Sequence, residues 1–142
     1  MKTLHQLYAA MLLAVASCAP AFAQGQSPAS GHGFFLAVLQ AHPVLLTDFS
    51  MTAPQTRDVT AAESEGCISR LTSVVASAPP VETVLDWKAI RITRVENESD
   101  LRLRGRGIDV MLGFETREVA QRVARALTAV RRDCDPVAGF GF

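Results

Sequence analysis

Residues 108–134 read IDVMLGFETREVAQRVARALTAVRRDC and join the pattern of a strand directly to the pattern of a helix. The first part alternates apolar with other side chains, which is typical of a strand with one buried face. Its apolar positions are Ile108, Val110, Leu112 and Phe114. A strand that feeds straight into a helix in this way favours an α+β domain.

The helix that follows carries its own start and stop signals. Thr116 suits the N-cap position, Glu118 lies in the first turn, and the arginines at 131 and 132 lie in the last turn, which matches the helix dipole. Pro136 prevents continuation. The apolar residues recur at helical spacing and form one face: Val119, Val123, Leu127, Val130 and Cys134.

Upstream, residues 84–107 predict two more strands. Apolar residues alternate from Leu85 to Ala89, and then Ile90 takes over on the opposite parity, so we expect a bulge near Ala89. The polar run at 96–100 and the Gly-Arg-Gly run at 105–107 are the expected turns. Residues 84–115 therefore predict a three-stranded antiparallel meander.

A second helix is expected before the meander. Thr60 and Glu63 have capping-box spacing, and apolar residues then recur every three or four positions until Pro79-Pro80 ends the pattern. That apolar face comprises Cys67, Ile68, Leu71, Val74 and Val75. We expect both helices on one face of the meander, in a small single α+β domain.

Cys67 and Cys134 are the two cysteines beyond the N-terminal segment, and each lies on a predicted buried helix face. An even cysteine count in an exported chain predicts a disulfide. Here it would join the two helices. A loop of this length would contribute roughly 4 kcal/mol to stability.

The N-terminal segment predicts export. Lys2 precedes an apolar run at 7–16, and Ala21-Phe22-Ala23 forms an A-x-A cleavage pattern. The run is about half of the roughly 20 residues that a membrane span needs. An alternative stays open, because residues 15–18 (VASC) also fit a loose bacterial lipobox, which would leave Cys18 lipidated and the protein on a membrane.

These patterns divide the chain into four parts: a signal peptide at 1–23, a flexible leader at 24–33, one α+β domain at 34–136 and a flexible tail at 137–142. Within the domain, residues 34–46 predict either a short helix that ends before Pro43 or an extended segment. The expected location is extracytoplasmic, periplasmic or secreted, and the composition is typical of a bacterial protein.

Composition argues against several kinds of chemistry. Fourteen basic side chains balance fourteen acidic ones, so no nucleic-acid partner is expected. No metal-ligand spacing accompanies His32 or His42, and no cofactor or nucleotide motif is present, so neither a metal nor a cofactor is expected. We identify no catalytic residue, although His42 or an acid pair could serve a small exported hydrolase.

Arginine placement suggests the one candidate site. Arg102 and Arg104 alternate with Leu101 and Leu103, so they should point away from the helices, and Arg91 could join them across the hairpin. Arginine forks bind phosphate and carboxylate groups. Such a face would bind an anionic envelope component or an acidic protein. In the simpler alternative, nearby acids pair with these arginines and the face only keeps the sheet soluble.

The sequence thus predicts a small exported, non-catalytic domain that binds an envelope component or another protein. Two other functions remain open: a small exported hydrolase, and a lipid-anchored accessory protein.

Overall fold

The computed structural model describes residues 28–139, which form two α-helices, seven strands and a short 3-10 turn. The helices are α1 (Pro28–Ala41) and α2 (Arg117–Cys134), and the 3-10 turn is Pro136–Gly139. The strands are β1 (Leu45–Asp48), β2 (Thr56–Glu65), β3 (Ile68–Val74), β4 (Val81–Asp86), β5 (Ile90–Glu96), β6 (Asp100–Gly105) and β7 (Ile108–Gly113). The predicted signal peptide, with Cys18, lies outside the described residues.

All seven strands belong to one antiparallel sheet in the order β4-β3-β2-β1-β7-β6-β5. The first strand pairs with both β2 and β7, so it joins the two halves of the sheet. The α+β class is confirmed, but the prediction of a three-stranded meander with two helices on one face is wrong. The meander β5-β6-β7 is present, and four further strands extend the sheet beyond it.

The predicted helix over residues 60–78 is instead a hairpin of β2 and β3. Two turn residues, Gly66 and Cys67, connect the strands, and Gly66 has a φ of 57°, which glycine adopts without steric cost. The inward positions of β3 include Ser69 and Ser73, both buried. Because serines occupy the buried face, the hydropathy pattern of the strand is hidden and the remaining apolar residues fall at helical spacing.

The predicted strand from Leu85 to Ile92 is two strands separated by a turn. The amide of Ala89 donates to the carbonyl of Asp86 at 3.0 Å, which reverses the chain after β4. Trp87 lies in this turn with its side chain fully buried. The change of parity at Ala89 therefore marks a turn, in addition to a register irregularity between residues 90 and 92 in β5.

The helix α1 begins at Pro28, inside the segment predicted to be a flexible leader, so that prediction fails for residues 28–33. Phe35 and Val38 are buried in the core and attach α1 to the sheet. Gly31 allows a close crossing with α2, because a Cβ at this position would lie 2.7 Å from a methyl carbon of Val130. The helix ends before Pro43, as one of the two alternatives for residues 34–46 predicted.

The helix α2 follows the sequence prediction closely. The side chain of Thr116 accepts a hydrogen bond from the amide of Val119 at 3.3 Å, so Thr116 is the N-cap. The buried face packs against α1, β5 and β6, and its residues are Ala120, Val123, Ala126, Leu127, Val130 and Cys134. The two helices therefore bridge the β2 side and the β5–β6 side of the sheet.

Trp87 links three parts of the core. Its indole N–H donates to the hydroxyl of Ser69 at 2.8 Å, and that hydroxyl is 2.7 Å from the hydroxyl of Ser64. Its ring meets the ring of Phe35 edge to face, with centroids 6.1 Å apart. Trp87 thus satisfies Ser69, and the other buried serine, Ser73, donates to the carbonyl of Val81 at 3.4 Å, which explains why polar residues are tolerated there.

Within residues 28–139, neither helix combines the length and the apolar character that crossing a bilayer requires.

Candidate functional site

Strand register places several charged side chains on the side of the sheet that faces away from the core. Arg94 lies opposite Arg102, and Arg104 lies opposite Asp109. Leu101 and Leu103 alternate with these residues and are fully buried. We call Arg94, Arg102, Arg104 and Asp109 the arginine face.

Arg102 is held firmly on this face. Its Nε donates to an oxygen of Asp109 at 2.6 Å, and its guanidinium lies 3.8 Å from the centre of the Phe49 ring. The residue is 9% exposed. The hydrogen bond to Asp109 raises the pKa of Arg102, and the same bond holds the pKa of Asp109 below its usual value. Arg102 is thus largely committed to an internal ion pair.

Arg104 is more accessible, with its side chain 44% exposed. Its Nε contacts the same oxygen of Asp109 at 3.3 Å, so two guanidinium groups share one carboxylate. Arg94 is also exposed and pairs with Glu96 at 2.8 Å. Arg102 and Arg104 together carry two positive charges, and the carboxylate of Asp109 balances one of them.

The structure does not bring Arg91 to this face. Arg91 lies at the register irregularity of β5 and pairs with Asp135, the C-cap residue of α2. The irregularity shifts the alternation by one residue, so Ile92, and not Arg91, lies opposite Arg104. The predicted trio of Arg91, Arg102 and Arg104 is therefore wrong in one member. The sequence analysis missed Arg94 as a member of the face.

Cys67 and Cys134 lie together in disulfide geometry, with sulfurs 2.06 Å and Cα atoms 5.7 Å apart, which is within the usual range. The pairing agrees with the sequence prediction, but the bond does not join two helices. Cys67 lies in the β2–β3 turn and Cys134 ends α2. The bond therefore fastens the tip of a hairpin to the helix that packs on the other half of the sheet.

His42, the candidate base of a hydrolase, lies on the surface with its Nδ1 3.2 Å from a carboxylate oxygen of Glu115. Within residues 28–139, no three histidine, cysteine or acidic side chains lie close enough together to hold a metal ion. Asp109, the acid of the arginine face, is the ion-pair partner of Arg102 and Arg104.

Arg57, at the start of β2, is a residue that the sequence analysis passed over. It pairs in register with Leu46 on the core side of the sheet and is only 5% exposed. Its position next to a polar loop gave no sign of burial, because no hydropathy pattern marks the β1–β2 region. An arginine on the core side of a sheet is unusual.

The comparisons with known proteins identify a fold and no family. No family model matches the chain, and no curated protein matches it. A solved structure described as the PH domain from PfAPH is similar, with a TM-score of 0.53 and 15% sequence identity over 75% of this chain and 93% of that one. The chain therefore has a PH-domain-like fold, which replaces the predicted meander architecture. At this identity the likeness shows the fold alone.

Proposed function

We propose that this chain is an exported, non-catalytic binding domain whose arginine face binds an anionic envelope component or an acidic protein. The sharing of Asp109 by Arg102 and Arg104 carries the proposal. One carboxylate cannot neutralise two guanidinium groups, and the more exposed of the two, Arg104, can contribute donors to a second oxyanion. Arg94 adds an exposed guanidinium on the same side of the sheet.

The rigidity of Arg102 supports this function. Asp109 and Phe49 fix its guanidinium from two sides, so the positive charge on this face is held in place before a partner arrives. A preorganised group loses less conformational entropy when it binds. Arg102 therefore contributes a fixed positive field, while Arg104 and Arg94 are the side chains that touch the partner.

Export is the second part of the proposal. It is supported by the signal-peptide pattern at 1–23 and by the disulfide geometry of the cysteine pair, since disulfides persist mainly in oxidising compartments. The proposed partner is accordingly a component of the cell envelope or of its surroundings.

The test compares two double variants of equal charge change. Arg94→Gln with Arg104→Gln removes the exposed arginines of the face, and Arg122→Gln with Arg125→Gln removes two exposed arginines of α2 as a matched control. Each protein is immobilised, incubated with an envelope extract of its own organism and eluted with rising salt. We expect the wild type and the α2 variant to retain the same component and the face variant to lose it.

The salt dependence provides a second readout, because attraction between exposed charges is screened over about 8–10 Å at physiological ionic strength. Any residual binding of the face variant should depend less on salt than binding of the wild type. Equal retention by all three proteins, with the same salt profile, would show that the arginines only solubilise the sheet.

A further inference from the structure

Arg57 is a buried cation without an ionic partner among residues 28–139. Its Nη1 is inaccessible to solvent and has no hydrogen-bond partner, and no carboxylate lies within 4.0 Å of its guanidinium. Its Nη2 donates to the sulfur of Met51 at 3.4 Å, and a thioether is a weak acceptor. Nη1 therefore has N–H donors that the described residues leave unused.

Such an arrangement is energetically unfavourable unless an anion completes it. A guanidinium stays charged in water, and an unpaired buried ion is strongly destabilising. Arg102 in the same protein shows the usual solution, since its nearly buried guanidinium has a carboxylate at 2.6 Å. Arg57 is 5% exposed, compared with 9% for Arg102, and lacks that partner.

Asp48, an acid on the same side of the sheet, does not pair with Arg57. Strand parity places Asp48 on the same side as Leu46, the residue opposite Arg57. However, Oδ1 of Asp48 accepts hydrogen bonds from the amide and the hydroxyl of Ser50, at 2.9 and 2.6 Å. These bonds close the turn that starts the β1–β2 loop (residues 49–55). The carboxylate thus stabilises the loop, and among residues 28–139 it makes no ion pair with Arg57 within 4.0 Å.

The surroundings define the chemistry of the missing partner. Leu46 lies opposite Arg57 and is fully buried, and Val59, two residues further along β2, is partly buried against the core. Arg57 supplies one positive charge, and Asp48 lies on the same side of the sheet, so a doubly charged phosphate monoester would leave negative charge uncompensated. The fork of donors on an arginine matches two oxygens of one oxyanion.

We propose that Arg57 anchors a binding site for a singly charged oxyanion, a carboxylate or a phosphodiester, carried on an apolar group and covered by the β1–β2 loop. Met51 is the residue that the ligand displaces from the guanidinium. Its side chain bonds Arg57 only through sulfur, and the residue is 43% exposed. The site lies on the core side of the sheet, so it is separate from the arginine face and goes beyond the proposed function.

The test uses purified protein and three probes that share an apolar character but differ in charge. Octanoate presents a carboxylate, dibutyl phosphate presents a phosphodiester, and octyltrimethylammonium presents an apolar chain with a positive charge. Binding of each probe at millimolar concentration is measured by calorimetry and by the shift in the thermal unfolding midpoint. The variants are Arg57→Met, Arg57→Lys and, as a control on α2, Arg122→Met.

We expect the wild type and the Arg122→Met variant to bind at least one of the two anions and not the ammonium probe. Arg57→Met should bind that anion at least about tenfold more weakly, since hydrogen bonds to charged groups are among the strong ones. The affinity for octanoate compared with that for dibutyl phosphate shows whether the site binds a carboxylate or a phosphodiester.

If Arg57→Met does not fold, Arg57→Lys provides the comparison with the wild type. It keeps the charge but not the fork, so its affinity should be lower than that of the wild type. The absence of binding of both anions by the wild type would overturn the proposal, as would equal affinity in the wild type and a folded Arg57 variant. Binding of the ammonium probe as tightly as octanoate would show an apolar cleft without an anion site.

Discussion

The charge state of the His32 imidazole should affect the free energy of unfolding near neutral pH. Both ring nitrogens are buried without a hydrogen-bond partner among the described residues, and the ring lies 6.2 Å from that of Trp87. Burial lowers the pKa of His32 below its ordinary value of 6.5, because a buried imidazolium loses its hydration, and the nearby backbone of Gly66 offsets only part of this shift. The folded protein therefore favours the neutral ring.

This shift predicts a loss of stability on acidification. The unfolded chain takes up the His32 proton at about pH 6.5, before the folded protein does, so the free energy of unfolding should fall as pH drops below 6.5 and until it passes the lowered pKa. Urea titrations between about pH 8 and pH 5 measure the slope. His32→Gln should reduce it, whereas His42→Gln, at the exposed contact with Glu115, should leave most of it in place. An unchanged slope in His32→Gln would contradict the assignment.

The residue scale also shows why only part of the site was predictable. Period-two alternation with buried leucines correctly places Arg102 and Arg104 on one side of the sheet. The position of Arg91 depends on the irregularity between residues 90 and 92, and the sequence carries no cue to which residue is displaced. Arg57 was missed because its burial arises from pairing of β1 with β2, which no local pattern reveals.

At the scale of elements, α1 offers a matched pair of glycines. A Cβ at Gly31 would meet a Val130 methyl carbon at 2.7 Å and a backbone oxygen of α2 at 3.0 Å, whereas a Cβ at Gly33 meets nothing within 4 Å. Gly31→Ala should destabilise the protein by about 1–3 kcal/mol through overpacking. Gly33→Ala should stabilise it by about 0.5–1 kcal/mol, because alanine favours the helix.

The urea midpoints of the two glycine variants therefore shift in opposite directions if α1 packs on α2. If residues 24–33 were instead the flexible leader that the sequence predicted, neither Gly31→Ala nor Gly33→Ala would change the free energy of unfolding by more than a few tenths of a kcal/mol. Equal midpoints for both variants and the wild type would contradict the packing of α1.

The hairpin of β2 and β3 shows how an element can be assigned to the wrong type. Thr60 and Glu63 satisfy the capping-box spacing. However, Thr60 lies in β2, at a bulge where the register with β3 shifts. The decisive cue was Gly66 next to Cys67, a two-residue turn that the helical spacing of Ile68 and Leu71 obscured. By contrast, α2 was predictable because its cap, charges and apolar face all agree, and such consistency is what makes a local assignment reliable.

At the scale of the whole molecule, the Cys67–Cys134 pair is a covalent link between one half of the sheet and the helix that packs on the other half. That pair spans 67 residues and ties the β2–β3 turn to the helix that packs on β5 and β6. Closing a loop of this length contributes roughly 4 kcal/mol in the chain-entropy description, a large share of the 5–15 kcal/mol that is typical of a domain. This contribution is present only if the proposed export keeps the bond oxidised.

The intact mass of the protein isolated from its native cells, measured without reduction, tests whether the chain works outside the cytosol as a disulfide-closed domain. We expect a product that begins at Gln24 and is lighter than its reduced form by the two thiol hydrogens of Cys67 and Cys134. A diacylglyceryl group on Cys18 would instead make this a membrane-anchored protein. An uncleaved chain that starts at Met1 and carries free thiols would contradict both export and the disulfide.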